Sequence, residues 1–257
     1  MNYLIYKDKD IYQKIWQRDR EYLTGAHLKY IAMFLMLLSH LSQTRLLYEL
    51  NTSYWTMADI FVFLGRISMP IFCFFTVQAV IYTKDIKRYF MRMLIFALVS
   101  EVPFDLALYG SPFFIRNQNV IFTLLIGAAA IYLIDLLWKR DYNGPIKIAG
   151  IILVSIVAMI LASILQTDYG YKGVLAIILI YLAKDSKFLT ALAIVVSFAF
   201  EFIVGGYNIP RSYGFVYLAI PLIMLYNGKR GKQNKWAFYI FYPAHLLVIY
   251  LLKLLFL

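Results

Sequence analysis

Nine long apolar runs dominate this chain and decide which solvent it folds in. They cover 25–43, 58–82, 90–108, 119–138, 146–165, 171–184, 188–204, 212–227 and 236–256. A helix needs roughly 20 mostly apolar residues to cross the hydrocarbon layer. Most of the runs reach that length, while 171–184 and 188–204 are short enough to be partly re-entrant. Of the 257 residues, 62% are hydrophobic and 15% charged, against about 25% charged in soluble domains. An ordinary soluble enzyme, a disordered chain and a nucleic-acid module are all excluded. The expectation is an all-α, polytopic integral membrane bundle of about nine transmembrane helices. Turn-forming gaps such as Gly110-Ser111-Pro112 and Asn143-Gly144-Pro145 separate the runs. No gap is long enough for a soluble domain, and the single cysteine, Cys73, permits neither an internal disulfide nor a cysteine-based zinc site.

Before the first run, residues 11–23 place Ile11, Ile15, Trp16 and Leu23 near helical spacing, with Lys14, Arg18 and Arg20 between them. Residues 1–23 therefore read as a cytoplasmic amphipathic segment lying on the membrane, ahead of one membrane domain over 24–257. Alternate gaps, with the N-terminal segment, hold 18 of the 25 Lys and Arg residues; the other set holds five, and Lys29 and Arg66 fall within spans. Basic residues favour cytoplasmic loops, so the N-terminus is expected inside.

Ionisable groups at mid-bilayer cost roughly 2.5–3.5 kcal/mol on insertion scales, and they need a reason. Here they are Lys29 and His40 on the first run, Asp59 and Arg66 on the second, Glu101 and Asp105 on the third, Asp135 on the fourth, Glu201 on the seventh and His245 on the ninth. Most fall in the outer half, together with Asn117, Asn119, Asp168 and Arg211, which suggests an outward polar cavity. Asp59 and Arg66 share a helix face, as do Glu101 and Asp105, and Arg66 is the expected partner of one of these carboxylates. Lys29 and His40 lie on one stripe of a helix, about 16 Å apart. Tyr242 shares a face with His245. No metal site is expected.

Seven blocks carry a resemblance. They are Leu28-Lys29-Tyr30-Ile31-Ala32 running to Ser39-His40, Leu64-Gly65-Arg66-Ile67-Ser68-Met69-Pro70, and Ser100-Glu101-Val102-Pro103-Phe104-Asp105. Next come Gln118-Asn119-Val120-Ile121-Phe122-Thr123 and Asp168-Tyr169-Gly170-Tyr171-Lys172-Gly173. Leu225-Tyr226-Asn227-Gly228-Lys229-Arg230-Gly231 and Phe241-Tyr242-Pro243-Ala244-His245-Leu246 complete the set. In this order they resemble the TraX family, whose name comes from conjugative-plasmid proteins that acetylate the pilin N-terminus. The basic residue, ten residues and histidine from Lys29 to His40 also resemble the type 3 membrane acyltransferases.

The resemblance implies a bacterial plasma (inner) membrane, multi-pass acyltransferase that moves acetyl from acetyl-CoA to an amine or hydroxyl of an acceptor. His40 becomes the catalytic histidine and general base, with Arg66 as oxyanion donor. Ser39 stands where the family is expected to carry an aspartate, so Glu101 or Asp59 is the candidate to orient His40. Lys29, with Lys84, Lys87 and Arg88, would hold the coenzyme A phosphates. Asp59, Asp105, Asn119, Tyr242 and His245 would line the acceptor site. The acceptor stays open among peptide, glycan, lipid and small molecule, as does the oligomeric state. The rival expectation is a secondary transporter or channel using the same charges.

Overall fold

The computed structural model describes residues 15–16, 22–205 and 211–257, without the side chains of 200–205, 211–213 and 235. Among the described residues the regular elements are helices. They are α1 (Gly25–Gln43), α2 (Leu46–Leu50), α3 (Trp55–Gly65), α4 (Ser68–Tyr82), α5 (Ile86–Tyr109) and α6 (Val120–Trp138). α7 (Gly144–Ile164), α8 (Gly170–Leu182), α9 (Lys187–Gly205), α10 (Ala219–Met224) and α11 (Lys235–Phe256) follow, with 3-10 turns at Thr52–Tyr54 and Arg211–Leu218. The reason is that a helix satisfies its backbone groups internally, which hydrocarbon demands. Side chains then cap the ends. Asp85, Asn119 and Asn143 each accept a hydrogen bond from the first turn of α5, α6 and α7. Thr24 and His27 form a reciprocal capping box at the start of α1.

α4 is the hub. Nearly all of its residues are buried, and it packs on α1, α6 and α8. The run expected as one span over 58–82 is broken at Arg66–Ile67, where the backbone N–H groups bond three residues back, to Phe63 and Leu64. Just before the break, a Cβ on Gly65 would overlap the Ser39 side chain, so only glycine lets α3 approach α1 there. The chain's last third returns to its first. Leu23 pairs with the backbone of Leu225 and Asn227, and the N–H groups of Gly25 and Ala26 donate to the carbonyls of Lys229 and Arg230 at 2.9 Å. Two of the orphan donors that open a helix are thus satisfied by a loop 200 residues downstream.

The span count differs from nine. Among the described residues, four helical stretches are long and apolar enough to cross a membrane: Thr52–Tyr82, Val120–Trp138, Gly144–Ile164 and Trp236–Phe256. α1 is 19 residues long but carries His27, Lys29, Ser39, His40 and Gln43. α5, at 24 residues, carries Lys87, Arg88, Arg92, Glu101 and Asp105. Gly170–Leu182, Lys187–Ala199 and Gly214–Met224 are apolar but shorter. Composition rather than helix formation removes the first two from the count. The amphipathic helix expected before α1 falls mostly outside the described residues, although Trp16 is buried against Phe74 with ring centroids 4.9 Å apart.

Candidate functional site

Two cavities stand out among the described residues; α4 begins just after Arg66, in the wall of one, and lines the other with Phe72, Phe75 and Gln78. The larger, about 860 Å³, opens around the start of α1. Lys29, Arg92, Lys229 and Arg230 line it with Gln78, Gln233 and the rings of Phe75, Tyr89, Phe238 and Tyr239; no carboxylate does so among the described residues. The loop that caps α1 brings Lys229 and Arg230 beside Lys29. Lys29 Nζ donates to Gln233 Oε1 at 3.3 Å and lies 4.8 Å from the Phe75 ring centroid. A basic chamber with aromatic walls suits a ligand carrying both phosphate and a flat ring.

Of the residues expected to bind phosphate, Lys29 is in this chamber. Lys84, Lys87 and Arg88 are exposed and outside its lining, and Arg88 Nε pairs with Asp85 at 2.9 Å. Lys229 and Arg230 were not anticipated there, because their arrival depends on a fold-back between distant segments. The local signal was the Gly228-to-Gly231 turn, whose two glycines adopt φ of 78° and 71°.

The other cavity, about 290 Å³, is lined by Arg66, Asn117, Thr167, Asp168, Tyr169 and Lys172, with Gly170 and Tyr171. Its loop is built with care. Gln118 N donates to Gln166 O at 3.0 Å, Asp168 N donates to Gln118 O at 2.7 Å, and Thr123 donates to the Asp168 carbonyl. Gln166 and Tyr169 both hold positive φ, of 51° and 62°. Arg66 faces Asp168 and hydrogen-bonds Tyr169. Burial pushes the Asp168 carboxyl up to about 6, while Arg66 and the Tyr169 N–H pull it back down. The expected pairing of Arg66 with Glu101 or Asp105 is therefore corrected: Arg66 pairs with the α7–α8 loop instead. A shared helix face says nothing of which neighbouring element a side chain meets.

Glu101 and Asp105 instead hold the start of α6 and the loop before it. Glu101 Oε2 accepts from the Asn119 backbone N–H at 3.3 Å and from its side-chain amide, and Asp105 Oδ2 accepts from Phe114 N at 2.8 Å. Their second oxygens, Glu101 Oε1 and Asp105 Oδ1, are buried without a hydrogen bond. Tyr242 lies within electrostatic reach of Asp168, Glu101 and Tyr109. Asp59 stands apart: it is exposed on α3 and accepts from Tyr48 Oη at 2.5 Å.

Outside the lining of either cavity, α1 and α11 bring together a pair that the sequence did not reveal. His40 Nδ1 and His245 Nε2 are 2.7 Å apart, and both residues are buried. His245 Nδ1 lies 2.7 Å from the Phe241 carbonyl oxygen. The two imidazoles are stacked with centroids 4.9 Å apart, and the Tyr242 ring meets His40 edge-on at 6.1 Å. No hydrogen bond joins Ser39 to His40; the Ser39 Oγ accepts from Gln43 Nε2 at 2.6 Å. None joins Glu101 or Asp59 to His40 either. Glu201, singled out in the sequence, has its side chain outside the described residues.

Comparison with known proteins gives two matches. The family profile described as TraX protein matches residues 24–253. The chain is 25% identical over 240 residues to "Probable fimbrial assembly protein FimC, serogroup H1" of Dichelobacter nodosus, which spans 86% of this chain and 92% of that protein. No solved structure matches significantly.

Proposed function

The chain belongs to the TraX family, and on that premise we propose that it is a membrane transferase dedicated to pilin, acting in pilus biogenesis. The carrying observation is the near full-length likeness to a fimbrial assembly protein and to the TraX family. An acceptor-blind acetyltransferase working through His40 as base is not supported, and neither is a solute transporter or channel. Both relatives point to a pilin-related role and not to a broad choice of acceptors or a permeating solute.

The geometry supports this reading in three ways. The basic chamber at Lys29 has the charge and the aromatic walls for a phosphate-bearing donor such as acetyl-CoA. The second cavity, with Arg66, Asp168 and Lys172, is polar and small enough for one end of a peptide rather than a folded domain. α1 carries Lys29 in the chamber wall and His40 beside Tyr242, which lies within electrostatic reach of Asp168 in the second cavity's wall, so the two reactants would meet along one helix. The proposal includes a multi-pass arrangement in the bacterial inner membrane with the chamber facing the cytoplasm, as the basic residues favour. It also includes kinship with the type 3 membrane acyltransferases through the Lys29-to-His40 spacing.

Pilin mass tests it. In a piliated host carrying this gene, pilin should bear one acetyl group that disappears on deletion and returns with the wild-type gene. Unmodified pilin in both strains, with pili assembled equally well, would overturn the proposal. Loss of pili without any change in pilin mass would shift the role from chemistry to assembly.

A further inference from the structure

The contact between His40 and His245 fixes more than two ring positions. A carbonyl oxygen has no hydrogen to give, so the nitrogen of His245 that lies 2.7 Å from Phe241 O must carry one. With Nδ1 protonated, a neutral His245 has its lone pair on Nε2. His40 Nδ1 is 2.7 Å from that atom and must then supply the hydrogen of the contact. His40 is thereby held in the same tautomer, with Nδ1–H turned to His245 and the lone pair on Nε2. Among the described residues no hydrogen bond is recorded for His40 Nε2. The opposite direction would require a doubly protonated His245. That would be a buried cation, and no carboxylate is recorded within ion-pair distance of it among the described residues.

The packing holds this arrangement. The Phe241 ring stacks on His245 at 4.7 Å with the planes 13° apart, and the Tyr242 ring closes the other side edge-on at 5.6 Å. Phe241, Tyr242 and His245 share one stretch of α11, so a single helix supplies the carbonyl, the ring wall and the second imidazole.

We propose that His245 is a positioning residue: it locks His40 in the Nδ1–H tautomer, so that Nε2 faces the pilin group as a hydrogen-bond acceptor. Ser39, the residue before His40, is engaged elsewhere, its Oγ accepting from Gln43 Nε2. The inference rests on the proposed action on pilin only for what meets Nε2; the tautomer itself stands without it.

The chain has three histidines, which makes the test tractable. Protein labelled with ¹⁵N-histidine, in lipid bilayers and without pilin, is read by solid-state NMR. Wild-type His40 and His245 should both show a protonated Nδ1 and an unprotonated Nε2. In His245→Ala, His40 should lose that single tautomer, and pilin modification should fall at least tenfold. In His245→Gln the side-chain oxygen replaces the lost acceptor, so the His40 tautomer and most of the activity should return. A wild-type His40 protonated on Nε2, or a tautomer unchanged in His245→Ala, overturns the proposal. Should His245→Ala fail to fold, the wild-type spectrum and His245→Gln still decide. A correct tautomer in protein that leaves pilin unmodified would overturn the function proposed above and not the pairing.

Discussion

The two ends of this bundle solve opposite electrostatic problems. Around Lys29, cations gather with no carboxylate in the cavity wall among the described residues, and Arg230 is a like-charged neighbour. Around Arg66 one guanidinium stands near Asp168, with Glu101 and Asp105 close by on α5. The first end is built by a loop fold-back that lends its carbonyls to cap α1 and leaves its side chains in the cavity. The second is built by carboxylates that grip backbone N–H groups, with one oxygen of each left over. One end gathers positive charge around a cavity, whereas the other turns most of its charge to its own architecture. Substitutions at the two ends should therefore fail differently.

The largest contrast is expected from Lys29→Glu. Charge-assisted hydrogen bonds contribute about 1.5–3 kcal/mol, so binding of a phosphate-bearing donor should weaken by roughly 10- to 100-fold. The control Lys87→Ala, outside the cavity lining, should stay within about twofold. Titration of labelled donor into detergent-solubilised protein measures both, and equal losses would erase the distinction between chamber and periphery.

At the other end, Asn119→Ala should act on stability first. It removes the cap of α6 and the donors to Glu101 and the Ala97 carbonyl, so a loss of about 1–3 kcal/mol is expected. Thermal unfolding in detergent should show it, with donor binding per folded molecule unchanged.

Asp168 gives a smaller, pH-dependent effect. Its folded value is raised to about 6 from 3.8, so the folded state favours the protonated carboxyl. That contribution is complete below 3.8 and disappears as pH rises through about 6. The melting temperature should therefore fall between pH 4 and pH 6 more in wild type than in Asp168→Asn. A wild-type slope no steeper than the variant's would contradict the burial of this carboxyl. Tyr48→Phe is the smallest change, because the Tyr48–Asp59 bond is exposed; about 0.5–1 kcal/mol or less is expected, with no effect on either cavity.

What could be read from the sequence follows the reach of helical periodicity. Lys29 and His40 are on one helix, and Glu101, Asp105 and Asn119 do gather at one end, because spacing along a span sets depth and face. Partners across the bundle were invisible. His40 meets a histidine 205 residues away, Lys29 receives Lys229 and Arg230, and Arg66 turns to a loop rather than to α5. The helix break at Arg66–Ile67 was hidden too, since one arginine within a long apolar run does not mark a turn and no proline stands at the junction itself. Hydropathy likewise could not separate helices that cross from helices that carry the site: α1 and α5 form well but are too polar for a simple span.

The proposed multi-pass arrangement, with the Lys29 chamber facing the cytoplasm, implies that the two cavities open to opposite sides of one membrane. The sole cysteine, Cys73, is fully buried, so new single cysteines report cleanly. Arg230→Cys and Lys172→Cys, expressed in cells, should react with a membrane-impermeant maleimide from opposite sides. Lys172→Cys should label in intact cells and Arg230→Cys only in inverted vesicles. Labelling of both from the same side would contradict the account.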